Sequence, residues 1–216
     1  MHLPTRQKIT MPDRYQQRYG ISSARLQGYD YGQNGAYFIT ICTNNRIHYF
    51  GEIIIVETHN VVETHNAVET HNYVETHNYA SLMQPTQIGQ IAIESYQKIP
   101  DHFPFIILDE FVVMPNHVHG IIIIKKNRET ENFPPLQEGY KNKFGPQSGN
   151  LSSVIRGFKA AVKTFAKTNN IEFEWQPRFH DHIIRNENEL NRVRKYIIEN
   201  SENWARDRNN REGRLI

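Results

Sequence analysis

Cysteine is almost missing from this chain. Cys42 stands alone among 216 residues, so no disulfide can close within the chain. No stretch of about 18 apolar residues runs without a charge, which leaves no candidate for a membrane-spanning helix. The opening MHLPTRQK lacks the apolar core of a secretory signal. A soluble protein of a reducing compartment, the cytoplasm, is the expectation. Strong net charge is lacking too, because 25 Lys and Arg against 23 Asp and Glu leave only +2. The length is too short for two comfortable cores, so a single domain over 1–216 is expected, with any insertion as decoration.

The near-neutral total hides a segregation. Residues 1–30 hold five basic and two acidic side chains, residues 150–216 thirteen and nine, and residues 31–149 seven and twelve. Basic ends suit a polyanion such as nucleic acid, with the acidic centre turned away. The same counts also describe ordinary solvated helix faces, and charge alone does not decide.

Residues 56–80 read VETHNVVETHNAVETHNYVETHNYA, in which Glu-Thr-His-Asn recurs four times with period six. So nearly identical a repeat looks like duplication of a short DNA unit, tolerated as a surface insertion because extending a loop is cheap. Its Val and Thr content favours extended chain, and the even period repeats the same strand face in each copy. The competing reading is a metal or partner site built from His59, His65, His71 and His77.

Elsewhere the chain alternates between strand and helix patterns. GAYFITICTNN (35–45) predicts a strand, paired with IHYFGEI (47–53). Residues 85–100, between two prolines, predict a helix. FPFIILDEFVVMP (103–115) and NHVHGIIIIKK (116–126) predict two strands joined at Pro115-Asn116, followed by a polar loop over 127–150. Residues 150–169 predict a helix with Val154, Phe158, Val162 and Phe165 on one stripe and Arg156, Lys159, Lys163 and Lys167 opposite. Extended chain is expected over 173–185 and a last helix over 187–207. In order this gives an α+β protein, an antiparallel sheet covered by helices, of ferredoxin-like type.

Two histidines stand one residue apart in VVMPNHVHGIIII, at 117 and 119. In a strand they share a face, with Cα atoms about 6 to 7 Å apart, which suits two ligands of one metal ion. His-x-His also arises by chance. Tyr196 and Asn200 are four apart in the last predicted helix and so would share a face, although a tyrosine there, judged alone, is far more often a packing aromatic than a nucleophile. A second doublet, His180 and His182, has the same geometry and reads as structural or as a DNA contact.

Taken together these segments resemble the single-tyrosine HUH transposases. VVMPNHVHGIIII is similar to their His-hydrophobic-His motif and VRKYIIENSENW to their tyrosine helix. SGNLSSVIRGFKAAV and WQPRFHDHIIRNENEL narrow the resemblance to the branch associated with repetitive extragenic palindromes, REP. It covers most of residues 31–207 outside the repeat, and departs at Ser201, where that branch has proline.

The resemblance implies an HUH fold and a bacterial, nucleoid-associated enzyme that cuts and rejoins single-stranded or hairpin DNA of palindromic repeats through a 5′-phosphotyrosine. Tyr196 would be the nucleophile, with His117, His119 and Asn200 holding Mg²⁺ or Mn²⁺. Candidates for phosphate contacts are Arg156, Lys159, Lys163 and Arg206, with Arg208, Arg211 and Arg214 in a basic tail over 208–216. Tyr29, Tyr31 and Trp175 are candidates for stacking on bases. The chain would act as a monomer or homodimer. The alternatives are a host-recruited hairpin binder that no longer cuts and, more distantly, a replication initiator or relaxase.

Overall fold

The structure, a computed structural model, describes residues 26, 29–65, 71–126, 148–207 and 210, with the backbone alone for 57–65 and 71–79. In chain order the elements are β1 (Gly35–Cys42), β2 (Gly51–His65), β3 (His71–Pro85), α1 (Gln87–Gln97), α2 (Ile99–His102), β4 (Ile106–Met114), β5 (His117–Ile124), α3 (Leu151–Thr168), β6 (His180–Ile184) and α4 (Glu187–Ile198). Four strands form one sheet in the order β4-β5-β1-β6, antiparallel at every pairing. Strands β2 and β3 form a separate antiparallel ribbon. Without the ribbon, and with the short α2 taken together with α1, the order is β-α-β-β-α-β followed by α4, and the expected ferredoxin-like α+β architecture is observed.

Strand β5 explains why the sheet is buried on both sides. Its residues alternate between faces: Val118, Ile122 and Ile124 enter the main core with Val154, Phe158 and Val162 of α3 and Ile88 and Ala92 of α1. Ile121 and Ile123 enter a second core with Leu190 and Ile197 of α4. A strand covered on both faces reads as a continuous apolar run rather than an alternation, which accounts for the four isoleucines. Gly120 serves a close approach, since a Cβ there would stand 2.1 Å from the hydroxyl oxygen of Tyr96. Tyr96 is fully buried and stacks on Phe111 at 4.5 Å.

The helices start where polar caps allow. Thr86 accepts from Gly89 N, Asn186 accepts from Glu189 N, and Asn150 forms a reciprocal capping box with Ser153. Each satisfies a backbone N–H that the first helical turn leaves without a partner.

Three expectations need correction. Residues 47–53 do not pair with β1, because β5 and β6 occupy both of its edges. Asn45 and Arg46, at φ 53° and 58°, turn the chain out of the sheet, and Gly51 opens the ribbon instead. The last helix ends at Ile198, not near 207; turns follow, then a short 3-10 segment at Trp204–Arg206. Within 173–185 only His180–Ile184 is a strand, preceded by an isolated bridge from Trp175 to Thr43. Most of the loop at 127–150 and nearly all of the tail lie outside the described residues. Among the described residues no helix is long and apolar enough to cross a membrane.

Candidate functional site

Strand parity places the histidine doublet. His117 and His119 lie four and two residues before Ile121 and so share its face, the one that α4 covers. Both imidazoles are fully buried, with ring centroids 4.4 Å apart. A buried imidazole needs polar partners, and the neighbouring loop and strand supply them. Asn116 donates through Nδ2 to the Arg46 carbonyl at 3.1 Å, which turns its Oδ1 toward His117 Nδ1 at 2.9 Å. His117 Nδ1 then carries the proton and Nε2 the lone pair, the arrangement that suits a metal ligand. Thr40, directly across from His119 in β1, meets His119 Nδ1 at 2.9 Å.

Helix α4 brings the phenol. The Tyr196 hydroxyl lies 3.2 Å from His119 Nε2, and the side chain remains 43% exposed. Phe38 stacks on His119 at 5.2 Å and meets Tyr196 edge-on at 5.9 Å, fixing both rings. Because α4 has ended, Asn200 sits in the following turn rather than on the helix face, yet it lines the same cleft as Tyr196. Its side-chain oxygen is buried with no hydrogen-bond donor in reach. Trp204 packs against His117 at 5.9 Å.

The chain beyond α4 adds a residue that the sequence reading missed. Nitrogens of His117 and His119 and a carboxylate oxygen of Asp207 all lie within 4.8 Å of one another. Two imidazoles, a carboxylate and the amide oxygen of Asn200 make a nitrogen and oxygen donor set that fits a divalent ion such as Mn²⁺, and Mg²⁺ less readily because of the imidazoles. The cleft has a volume of about 450 Å³ and is rimmed by Glu199, Asn203 and Arg206.

A clamp holds α4 over the sheet. Arg194 Nε donates to Asp109 Oδ1 at 2.8 Å and Nη2 to Oδ2 at 2.6 Å, a two-point bond from helix to β4 two residues before Tyr196. Hydrogen bonding from Arg194 holds the Asp109 carboxyl below its ordinary value. Asp109 lies where the β4–β5 register is irregular, between Leu108 and Phe111.

The cationic candidates fall into different environments. Arg156 is exposed on α3, and Arg206 lines the cleft. Lys159 donates to the carbonyls of Gln176 and Arg178 at 2.7 and 2.6 Å, and burial pulls its pKa down to about 8. Lys163 donates to the Phe173 carbonyl and pairs with Glu174. Both lysines thus tie the 173–178 segment to α3. Arg208, Arg211 and Arg214 lie outside the described residues. Tyr29 and Tyr31 are buried in the main core and are not placed to stack on bases. Trp175 packs there too, its indole N–H donating to the Lys159 carbonyl. His180 is opposite Thr40, one strand further from His119, and His182 bonds Glu189 at 2.8 Å.

No family model matches the chain. Among solved structures, a REP-associated tyrosine transposase bound to a REP hairpin is similar at TM-score 0.48 and 21% identity, over 85% of this chain and 74% of that one. An uncharacterized protein of Haemophilus influenzae is 34% identical over 189 residues, which is 86% of this chain and 90% of that protein. At that identity and coverage, the chain belongs to the same family as the Haemophilus influenzae protein.

Proposed function

We propose that the chain is a metal-dependent tyrosine transposase of the HUH type, in its REP-associated branch. It cuts and rejoins single-stranded DNA folded into palindromic hairpins, with residues 1–216 as one catalytic domain and 56–80 as an insertion. The observation that carries this reading is the hydroxyl of partly exposed Tyr196 at 3.2 Å from His119 Nε2, in a site that also gathers His117 and Asp207. A phenol in a packing role would not need two buried imidazoles and an acid beneath it.

Tyr196 is the nucleophile. Its oxygen forms a bond to phosphorus while the bond from phosphorus to the 3′ oxygen breaks. The phenol gives up a proton and the departing oxygen gains one, leaving a 5′-phosphotyrosine and a free 3′-hydroxyl. The covalent link keeps the diester's energy for rejoining, so no nucleotide cofactor is required. His117, His119 and Asp207, with Asn200 beside them, would hold Mn²⁺ or Mg²⁺, which when bound offsets negative charge on the scissile phosphate. Phe38 fixes the approach of Tyr196, while Arg206 at the cleft and Arg156 on α3 are proposed to meet DNA phosphates. Lys159, Lys163 and Arg208 belong to the same proposal, the lysines as shared between α3 packing and phosphate. Tyr196 and the histidines meet within one chain, which supports cleavage by a monomer; a homodimer would need no exchanged helix.

Purified protein incubated with Mn²⁺ and end-labelled hairpin DNA should give cleavage and a denaturant-resistant protein–DNA adduct. Tyr196→Phe should abolish the adduct while hairpin binding, read by gel shift, stays within about twofold. Binding without any adduct from the wild type would favour the host-recruited binder. Equal adduct from the phenylalanine variant would remove Tyr196 from its role.

A further inference from the structure

The Glu-Thr-His-Asn repeat remains outside the proposed chemistry, and its backbone register sorts its residue types onto two faces. In the β2–β3 ribbon His59 is the Cα partner of His77, and His65 of His71. Residues two apart share a strand face, and direct partners across an antiparallel pair share it too. One face of the ribbon therefore collects His59, His65, His71 and His77 with Glu57, Glu63 and Glu75. The other face collects Thr58, Asn60, Val62 and Thr64 opposite Asn78, Thr76, Val74 and Asn72, with no ionisable group. Glu and His stand two apart in every copy, so the segregation follows from the repeat itself. A register displaced by one whole repeat would again set His against His, because the period is six.

We infer that this ribbon is a second metal site, in which cross-strand histidine pairs bind a borderline transition-metal ion of the Zn²⁺ class. Direct partners in an antiparallel pair have Cβ atoms about 4.5 to 5.5 Å apart, a spacing that suits two imidazoles on one ion with bonds of about 2.0 to 2.1 Å. Glu57 and Glu75 precede His59 and His77 by two residues and so fall on the same face, as Glu63 does with His65. The two histidine pairs are six residues apart along the strand, roughly 20 Å, so each pair takes its own ion. A two-stranded ribbon alone is marginal in water, and an ion held by both strands stabilises the paired state by mass action. The inference stands independently of the proposed DNA chemistry.

The test counts Zn²⁺ bound per full-length chain by equilibrium dialysis near pH 7.5. The wild type is compared with His59→Gln/His77→Gln, His65→Gln/His71→Gln and the fourfold variant. An ion at His117 and His119 is common to all four proteins and cancels in the differences. Each double substitution is expected to remove one ion and the fourfold variant two, while near-ultraviolet circular dichroism of the tryptophan-bearing core is unchanged. His59→Gln alone should lose as much as the His59/His77 double variant, since the ion needs both strands. Equal stoichiometry in the wild type and the fourfold variant overturns the inference. So do single-site losses that simply add, because they would describe independent histidines and not pairs.

Discussion

At the residue scale, a metal site and a nucleophile need different degrees of exposure, and the chain separates them by two routes. His117 and His119 are buried on β5, with Asn116 and Thr40 setting their ring nitrogens, whereas Tyr196 stays 43% exposed while its hydroxyl reaches His119. Asp207 supplies the only carboxylate in the three-residue metal cluster among the described residues. Asp207→Ala should therefore weaken Mn²⁺ binding at this site by about 10- to 100-fold, the range typical of losing a supporting or ligating group. Asn200→Ala should cost less, since a neutral amide oxygen contributes less than a carboxylate. Calorimetric titration with Mn²⁺ checks both; equal affinities for wild type and Asp207→Ala would exclude the carboxylate as a ligand. The histidine doublet and Tyr196 were legible because spacing along one strand or helix is local. Asp207 was not, because its position depends on where α4 ends and how the next nine residues turn back.

At the element scale, α4 must be held firmly for Tyr196 to reach His119. The Arg194–Asp109 bond is the polar anchor, with Leu190 and Ile197 as the apolar one. Arg194→Met should cost about 1 to 2 kcal/mol, less than a buried pair because Arg194 is partly exposed. It should lower adduct formation more than that loss of stability alone accounts for. The pH dependence follows from the lowered Asp109 value. A carboxyl whose folded pKa is depressed stabilises the fold above its unfolded value, about 3.9, and that contribution fades as pH falls through the folded value. Denaturant melts should thus separate wild type from Arg194→Met at pH 7 and converge as the pH falls below about 4. A constant gap across that range would show that the ion pair is not its source. The helices were readable from their apolar stripes and caps. The partner of β1 was not, because pairing is non-local: alternation in 35–45 announces a strand without saying which edges β5 and β6 take.

At the scale of the whole molecule, one sheet serves two purposes. The face toward α1 and α3 carries the main core, and the face toward α4 carries a small core that grades into the metal cluster as β5 runs back from Ile123 to His117. The ribbon leaves at Gly51 and returns at Pro85, and among the described residues its strands pair only with each other, so a four-copy repeat can lengthen it without taking an edge of the sheet. That separation explains how a βαββαβ pattern stays readable around an insertion of low complexity. Whether the cleft above the histidines does covalent chemistry is decided most directly by mapping the protein–DNA adduct. Wild-type protein treated with Mn²⁺ and hairpin DNA, then digested with trypsin, should yield by mass spectrometry one peptide bearing a 5′-phosphorylated oligonucleotide on Tyr196. An adduct on any other tyrosine, or none under conditions where the hairpin is bound and Mn²⁺ is retained, contradicts the proposed site.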